Sequence, residues 1–152
     1  MKGKDAEVAC LALSPDGTLL ATGGSDRAAR LWTLKDWRPS GLPMPHDGDV
    51  SGLSFSPNGE FLVTGSRDNT GRVWHVASCK PVGPVLRHHG PLNVVQCSHD
   101  GTLVLTAGDD GFAKLWHLPT AAKGSVEQIA AWVERLTAMT MDDQGAIHPL
   151  TA

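Results

Sequence analysis

Residues 46–74 read HDGDVSGLSFSPNGEFLVTGSRDNTGRVW, and the stretch divides at its own turn residues. Val50 to Phe55, Phe61 to Thr64 and Arg72 to Val76 are short runs rich in β-branched and aromatic residues, which predicts three strands. Ser56-Pro57-Asn58-Gly59 separates the first two: proline presets φ and glycine accepts a positive φ, so the segment is a hairpin turn. Gly65 to Thr70, small and Asx-rich, makes the second turn. The pattern recurs on both sides. Trp32, Trp74 and Trp116 stand 42 residues apart, and Ser14-Pro15-Asp16-Gly17 and Ser98-His99-Asp100-Gly101 keep the register of the central turn.

A repeat of about 40 to 45 residues with an aspartate six positions before a closing tryptophan has the length of one four-stranded propeller blade. The fold expected is therefore all-β, with three antiparallel four-stranded sheets over residues 1–118 and units at about 4–33, 46–76 and 88–118. Leu11, Leu13, Leu19, Leu20 and Leu31 carry the apolar pattern in the first unit, and Val94, Val95, Leu103, Leu105 and Leu115 in the third. Fourth, outer strands are expected around Gly41 to Met44 and Pro81 to Leu86, where prolines suit a sheet edge.

Residues 119–152 differ in composition. Ser125-Val126-Glu127-Gln128 has the form of a capping box, and Val126, Ile129, Trp132, Val133 and Leu136 share one helical face, predicting a short amphipathic helix. Met139 to Met141 and Ala146 to His148 flank Asp142-Asp143-Gln144-Gly145, a hairpin pattern.

With 41% hydrophobic residues the chain can bury a core, and a net charge of −3 without a basic stripe points away from nucleic acid and anionic membranes as partners. The N-terminus lacks the apolar region of a signal peptide, so a cytoplasmic protein is expected. Cys10, Cys79 and Cys97, odd in number and irregular in spacing, read as free thiols that fill apolar positions.

Each unit carries threonine, aspartate and tryptophan at fixed offsets: Thr22, Asp26, Trp32; Thr64, Asp68, Trp74; Thr106, Asp110, Trp116. His46 and His88 stand 22 residues before the second and third aspartates, and Lys4 holds that place in the first unit. Indole N–H only donates and carboxylate only accepts, so a shared network must run from tryptophan through threonine and histidine to aspartate. Aspartate, histidine and a hydroxyl also suggest a catalytic triad. Repetition in successive units, with the hydroxyl engaged by an indole, argues for scaffolding instead, and no catalytic residue is assigned. His88 and His89 diverge if they lie on a strand, and His75 and His117 lack close-spaced partners, so no metal or cofactor is expected.

These units resemble WD40 repeats over roughly residues 4 to 118, on the strength of His46 with Val50 four later, the turn at 56–59, Thr64-Gly65-Ser66-Arg67-Asp68 and Val73-Trp74, with the third unit parallel. Thr33, His75 and His117 replace the usual aspartate after the tryptophan. Pro45-His46-Asp47-Gly48, residues 82–88 and residues 131–137 are similar to the C-terminal ends of long bacterial WD40 proteins, some with a protein-kinase domain ahead of the propeller. No kinase motif occurs in this chain.

The resemblance implies a protein-interaction scaffold whose partners meet the entering loops and the turns between second and third strands. By position these are Glu7, Ala9 and Ser25; Asp49, Ser51 and Arg67; Pro91, Asn93 and Asp109. The set leans acidic, so a mildly basic peptide or protein partner is expected. The alternative is an accessory portion of a larger bacterial enzyme such as a protein kinase, and a weaker one is a self-assembling structural protein. Three blades fall short of a closed propeller and leave apolar faces at both ends, so either further N-terminal blades or further copies complete the ring.

Overall fold

A computed structural model describes residues 7–118, 139–141 and 147–149. The chain divides into two compact units, Met1–Leu118 and Pro119–Ala152. In the first, β1 (Val8–Leu13), β2 (Leu19–Gly24), β3 (Ala28–Thr33) and β4 (Met44–Pro45) form one antiparallel sheet in that order. The second sheet is β5 (Val50–Phe55), β6 (Phe61–Ser66), β7 (Thr70–His75) and β8 (Lys80–Arg87), again in chain order. The third holds β9 (Leu92–Cys97), β10 (Leu103–Gly108) and β11 (Ala113–His117). It therefore has three strands among the described residues, where the sequence pattern predicts four; residues 122–129, at the offset of β8, lie outside the described residues.

The outer strands also depart from expectation in length. Gly41 to Met44 was the expected position, yet β4 covers only Met44–Pro45, with a separate bridge between Trp32 and Pro39. Pro39 and Pro43 supply no N–H and Gly41 sits at φ 81°, and pairing along this edge is limited to Met44–Pro45 and the Trp32–Pro39 bridge. The strand β8 carries the same residue types, Pro81 and Pro84 with Gly83 at φ 74°, and still runs eight residues, its pairing with β7 interrupted by a register shift between Gly71 and Val73.

The predicted hairpin turns form in all three repeats. The N–H of Gly17 donates to the Ser14 carbonyl at 2.9 Å, and Gly59 and Gly101 repeat the bond to Ser56 and Ser98. Each serine hydroxyl accepts the N–H of the residue opening the next strand: Leu19, Phe61 and Leu103, each at 2.9 Å. At the next turn Arg27, Asn69 and Gly111 occupy the same offset with φ of 60°, 70° and 77°. Asparagine and glycine suit that left-handed conformation, whereas arginine is strained in it.

The core lies between sheets rather than beneath one. Ala21, Ala29, Leu31 and Met44 of the first sheet meet Val50, Phe55, Leu62 and Trp74 of the second. Val63, Val73 and Leu86 of the second meet Val95, Val104 and Leu118 in the next seam. Small residues let the sheets approach: a Cβ added at Gly23 would stand 2.5 Å from Val50 Cγ1, and one at Gly65 2.7 Å from Val95 Cγ1.

In the second unit β12 (Met139–Met141) pairs antiparallel with β13 (Ile147–Pro149), Thr140 opposite His148, which agrees with the predicted hairpin. The helix expected from Ser125 onward lies outside the described residues.

Candidate functional site

Four side chains predicted to meet do so in the second sheet. Trp74 Nε1–H donates to Thr64 Oγ1 at 2.9 Å. The hydroxyl and His46 Nε2 are 2.7 Å apart, and His46 Nδ1 lies 3.1 Å from Asp68 Oδ2. The carboxylate has no proton to give, so Nδ1–H donates to it, Nε2 is the free lone pair, and Thr64 O–H donates there. The third sheet repeats the geometry, with Trp116 to Thr106 at 2.7 Å, Thr106 to His88 at 2.8 Å and His88 to Asp110 at 2.9 Å. Position along the strands explains the convergence: Thr64 and Trp74 lie on adjacent β6 and β7, and Asp68 on the turn joining them.

Sequence reasoning did not reach the main-chain donors that complete the network. The N–H of Asp47, just beyond the histidine, donates to Asp68 Oδ2 at 2.9 Å, and that of His89 does the same for Asp110. Oδ1 meanwhile accepts the N–H of Thr70 at 2.8 Å and of Phe112 at 3.1 Å, closing the turns. An Asx residue followed two positions later by a strand start is a visible sign of the second bond; nothing in side-chain identity signals the first. Gly48 and Gly90 bring the entering loop onto the turn, since a Cβ there would lie 2.7 and 2.8 Å from the N of Asp68 and Asp110.

Burial lowers the imidazole pKa of both histidines below the usual 6.5, against the opposing pull of the aspartates. Burial works to raise Asp68 and Asp110, but the hydrogen bonds they accept outweigh it, and Asp110 falls to about 2. Neutral histidine beside ionised aspartate is the resting state. Thr64 and Thr106 are fully buried and accept an indole N–H, so neither hydroxyl is presented to a substrate. The arrangement holds; it does not react.

The first sheet has only part of this. Trp32 donates to Thr22 at 2.9 Å, but Asp26 is paired instead with Arg30 at 2.6 Å, so the predicted grouping of Thr22, Asp26 and Trp32 is split in two. Lys4, at the histidine offset, lies outside the described residues. A cleft of about 120 Å³ borders Thr22, Asp26, Arg30 and Trp32.

The candidate partner-binding residues gather at the end of the sheets where the entering loops and second turns emerge. One backbone bond recurs: Ser25 N to Glu7 O at 3.0 Å, Arg67 N to Asp49 O at 2.8 Å, and Asp109 N to Pro91 O at 2.9 Å. Glu7, Ala9, Ser25, Arg67, Asn93 and Asp109 are exposed, and Asp49 and Pro91 are half-buried. The Asn93 amide donates to the Asp109 carboxylate. Ser51 is half-buried, and its hydroxyl donates to the Leu92 carbonyl across the seam, so that group is engaged by the neighbouring sheet.

Repeated sheets with this network define a propeller segment of WD type. The family model "WD domain, G-beta repeat" matches residues 1–33, 40–75 and 80–117, and the chain belongs to the WD40 family. Among solved structures it is similar to one described as "Structure of U3-55K", with a TM-score of 0.71 and 18% identity over 77% of this chain and 38% of that one. Another, "Crystal structure of RRP9 WD40 repeats", gives a TM-score of 0.71 and 19% identity over 77% of this chain and 37% of that one. The chain thus spans less than two fifths of each of these two structures, and at that identity the likeness concerns the fold alone. No curated protein sequence matches the chain.

Proposed function

We propose that this chain is a non-catalytic protein-interaction scaffold, a cytoplasmic propeller segment that offers the rim around Arg67 and Asp109 to a mildly basic peptide or protein. The observation carrying this reading is the recurrent backbone bond that sets exposed Glu7 and Ser25, Arg67, and Asp109 in corresponding places on three successive sheets. Rim charges govern encounter and specificity more than raw affinity, so the binding should weaken with salt. Ser51, its hydroxyl engaged in the seam, is a positioning residue in this reading.

A fluorescently labelled panel of basic peptides, titrated at low salt against the chain and its Arg67→Glu/Asp109→Lys double variant, tests the rim. Binding that changes by about tenfold or more in the double variant is the expected result. Identical affinities, or no binding to any peptide of the panel, would overturn the assignment. The resemblance of residues 82–88 and 131–137 to the ends of long bacterial WD40 proteins supports a second reading, in which the same scaffold serves a larger enzyme such as a protein kinase. Kinase motifs encoded upstream of Met1 are the observation that would favour it.

A further inference from the structure

Arg67 stands on the turn between β6 and β7 of the central sheet, which has a sheet packed against each of its faces, and it is exposed all the same. Exposure at this offset therefore persists with neighbours on both sides. Asp109 holds the same offset on the third sheet and is exposed as well. Neither side chain has an ion-pair partner among the described residues. Carboxylate only accepts, so it is the Asn93 amide nitrogen that faces Asp109 Oδ1, and Oδ2 is left to accept a further donor. Both charges stand on a fixed backbone. Arg67 N–H donates to the Asp49 carbonyl at 2.8 Å and Asp109 N–H to the Pro91 carbonyl at 2.9 Å. Between them the Ser51 hydroxyl of the second sheet donates to the Leu92 carbonyl of the third, next to Asn93, so the two sheets are tied where the charges emerge.

We infer that Arg67 and Asp109 form a two-point clamp for an extended peptide that carries an acidic and a basic side chain two residues apart, the peptide carboxylate on Arg67 and its ammonium or guanidinium on Asp109. The inference rests on the rim reading above and narrows it, from a partner that is basic on balance to one with an acidic anchor. The guanidinium fork of Arg67 matches a carboxylate in two parallel bonds, and Asp109 Oδ2 takes the cation. Packed sheets stand about 10 Å apart, and side chains two residues apart on one face of an extended segment are separated by about 7 Å. The long arms of Arg67 and of the peptide's base span the difference. A peptide with basic residues alone would set like charge against Arg67, which discriminates against it. Because the backbone beneath both charges is already bonded in place, little ordering is left to oppose binding.

Selection from a random dodecapeptide library displayed on phage, against the full chain and against its Arg67→Glu and Asp109→Lys variants, provides the test. Peptides enriched on the wild type should carry an acidic and a basic residue at that spacing. Changing the acidic residue of such a peptide to glutamine should weaken its binding to the wild-type chain by about fivefold at low salt, a measurement that needs no variant to fold. On Arg67→Glu the acidic residue should give way to a basic one, and on Asp109→Lys the basic residue to an acidic one. Lys80→Glu, exposed on β8, should leave the selection as it is, and circular dichroism should be the same for all four chains. Wild-type peptides with basic residues alone, a glutamine exchange without effect, or an acidic residue still selected by Arg67→Glu would overturn the clamp while the rim reading stands. No enrichment on the wild type, or the same peptides from every chain, would overturn both.

Discussion

The main-chain N–H of His46 donates to the carbonyl of Arg27 at 2.8 Å, so the residue whose imidazole completes the second sheet's polar network is fastened by its backbone to the first sheet. His88 repeats the device, its N–H on the Asn69 carbonyl at 2.9 Å and its ring in the third sheet. Each histidine therefore ties two neighbouring sheets across a seam whose remaining contacts are mostly apolar and non-directional.

Removing that tie has a predictable cost. His46→Ala leaves Thr64 and Asp68 each short of a partner in a buried site, and urea unfolding should register a loss of about 2 kcal/mol or more. A double-mutant cycle between His46 and Asp68 should give a coupling above about 1 kcal/mol. The partly exposed Asp26 and Arg30 pair, by contrast, should couple by less than about 1 kcal/mol.

Acid should loosen the fold in two stages. His46 and His88 have folded-state pKa values below 6.5, so the unfolded chain takes up protons first as pH falls. Their contribution is complete above pH 6.5 and is lost as pH drops from there through the folded values. Protonated Nε2 would donate to Thr64, leaving its hydroxyl only the Arg72 carbonyl at 3.4 Å. Asp68 and Asp110, lowered from 3.8, add a second loss below about pH 4 that for Asp110 continues to about 2. Urea midpoints measured from pH 8 to pH 4 should fall below pH 6.5, and the double variant His46→Gln/His88→Gln should flatten that first slope.

The turn at Arg27 should accept improvement. Arg27→Asn keeps the positive φ that Asn69 already adopts at the same offset, and should raise stability by about 0.5–1 kcal/mol in the same denaturation assay.

Close approach of the sheets makes the opposite prediction at Gly65. A methyl there meets Val95 Cγ1 at 2.7 Å, so Gly65→Ala should cost about 1–3 kcal/mol, and the pair Gly65→Ala/Val95→Ala should recover part of it.

Burial pushes the thiols of Cys10 and Cys97 up to about 11, so at pH 8 roughly a thousandth of either is thiolate. Alkylation by iodoacetamide should be slow at both in the folded chain and should accelerate sharply in denaturant, as read by mass spectrometry.

Trp74, Thr64, His46 and Asp68 were legible as one network from their offsets alone, because a strand pair joined by a short turn fixes which positions stand opposite each other. The hairpin serines were legible for the same reason. Asp26 shows where that reading stops: its offset matches Asp68, yet Arg30, four residues on, takes the carboxylate. Ser51 likewise fits the rim by position while its hydroxyl turns into the seam.

The 42-residue period, the turn chemistry and the direction of hydrogen-bond donation were determined by the sequence, since all three depend on local conformation and on which groups can donate. That Leu31 and Val50 meet in a seam, and that histidine serves one sheet by its backbone and another by its ring, was decided only in the tertiary structure. Burial of a given offset depends on the sheet beside it, which no residue encodes by itself.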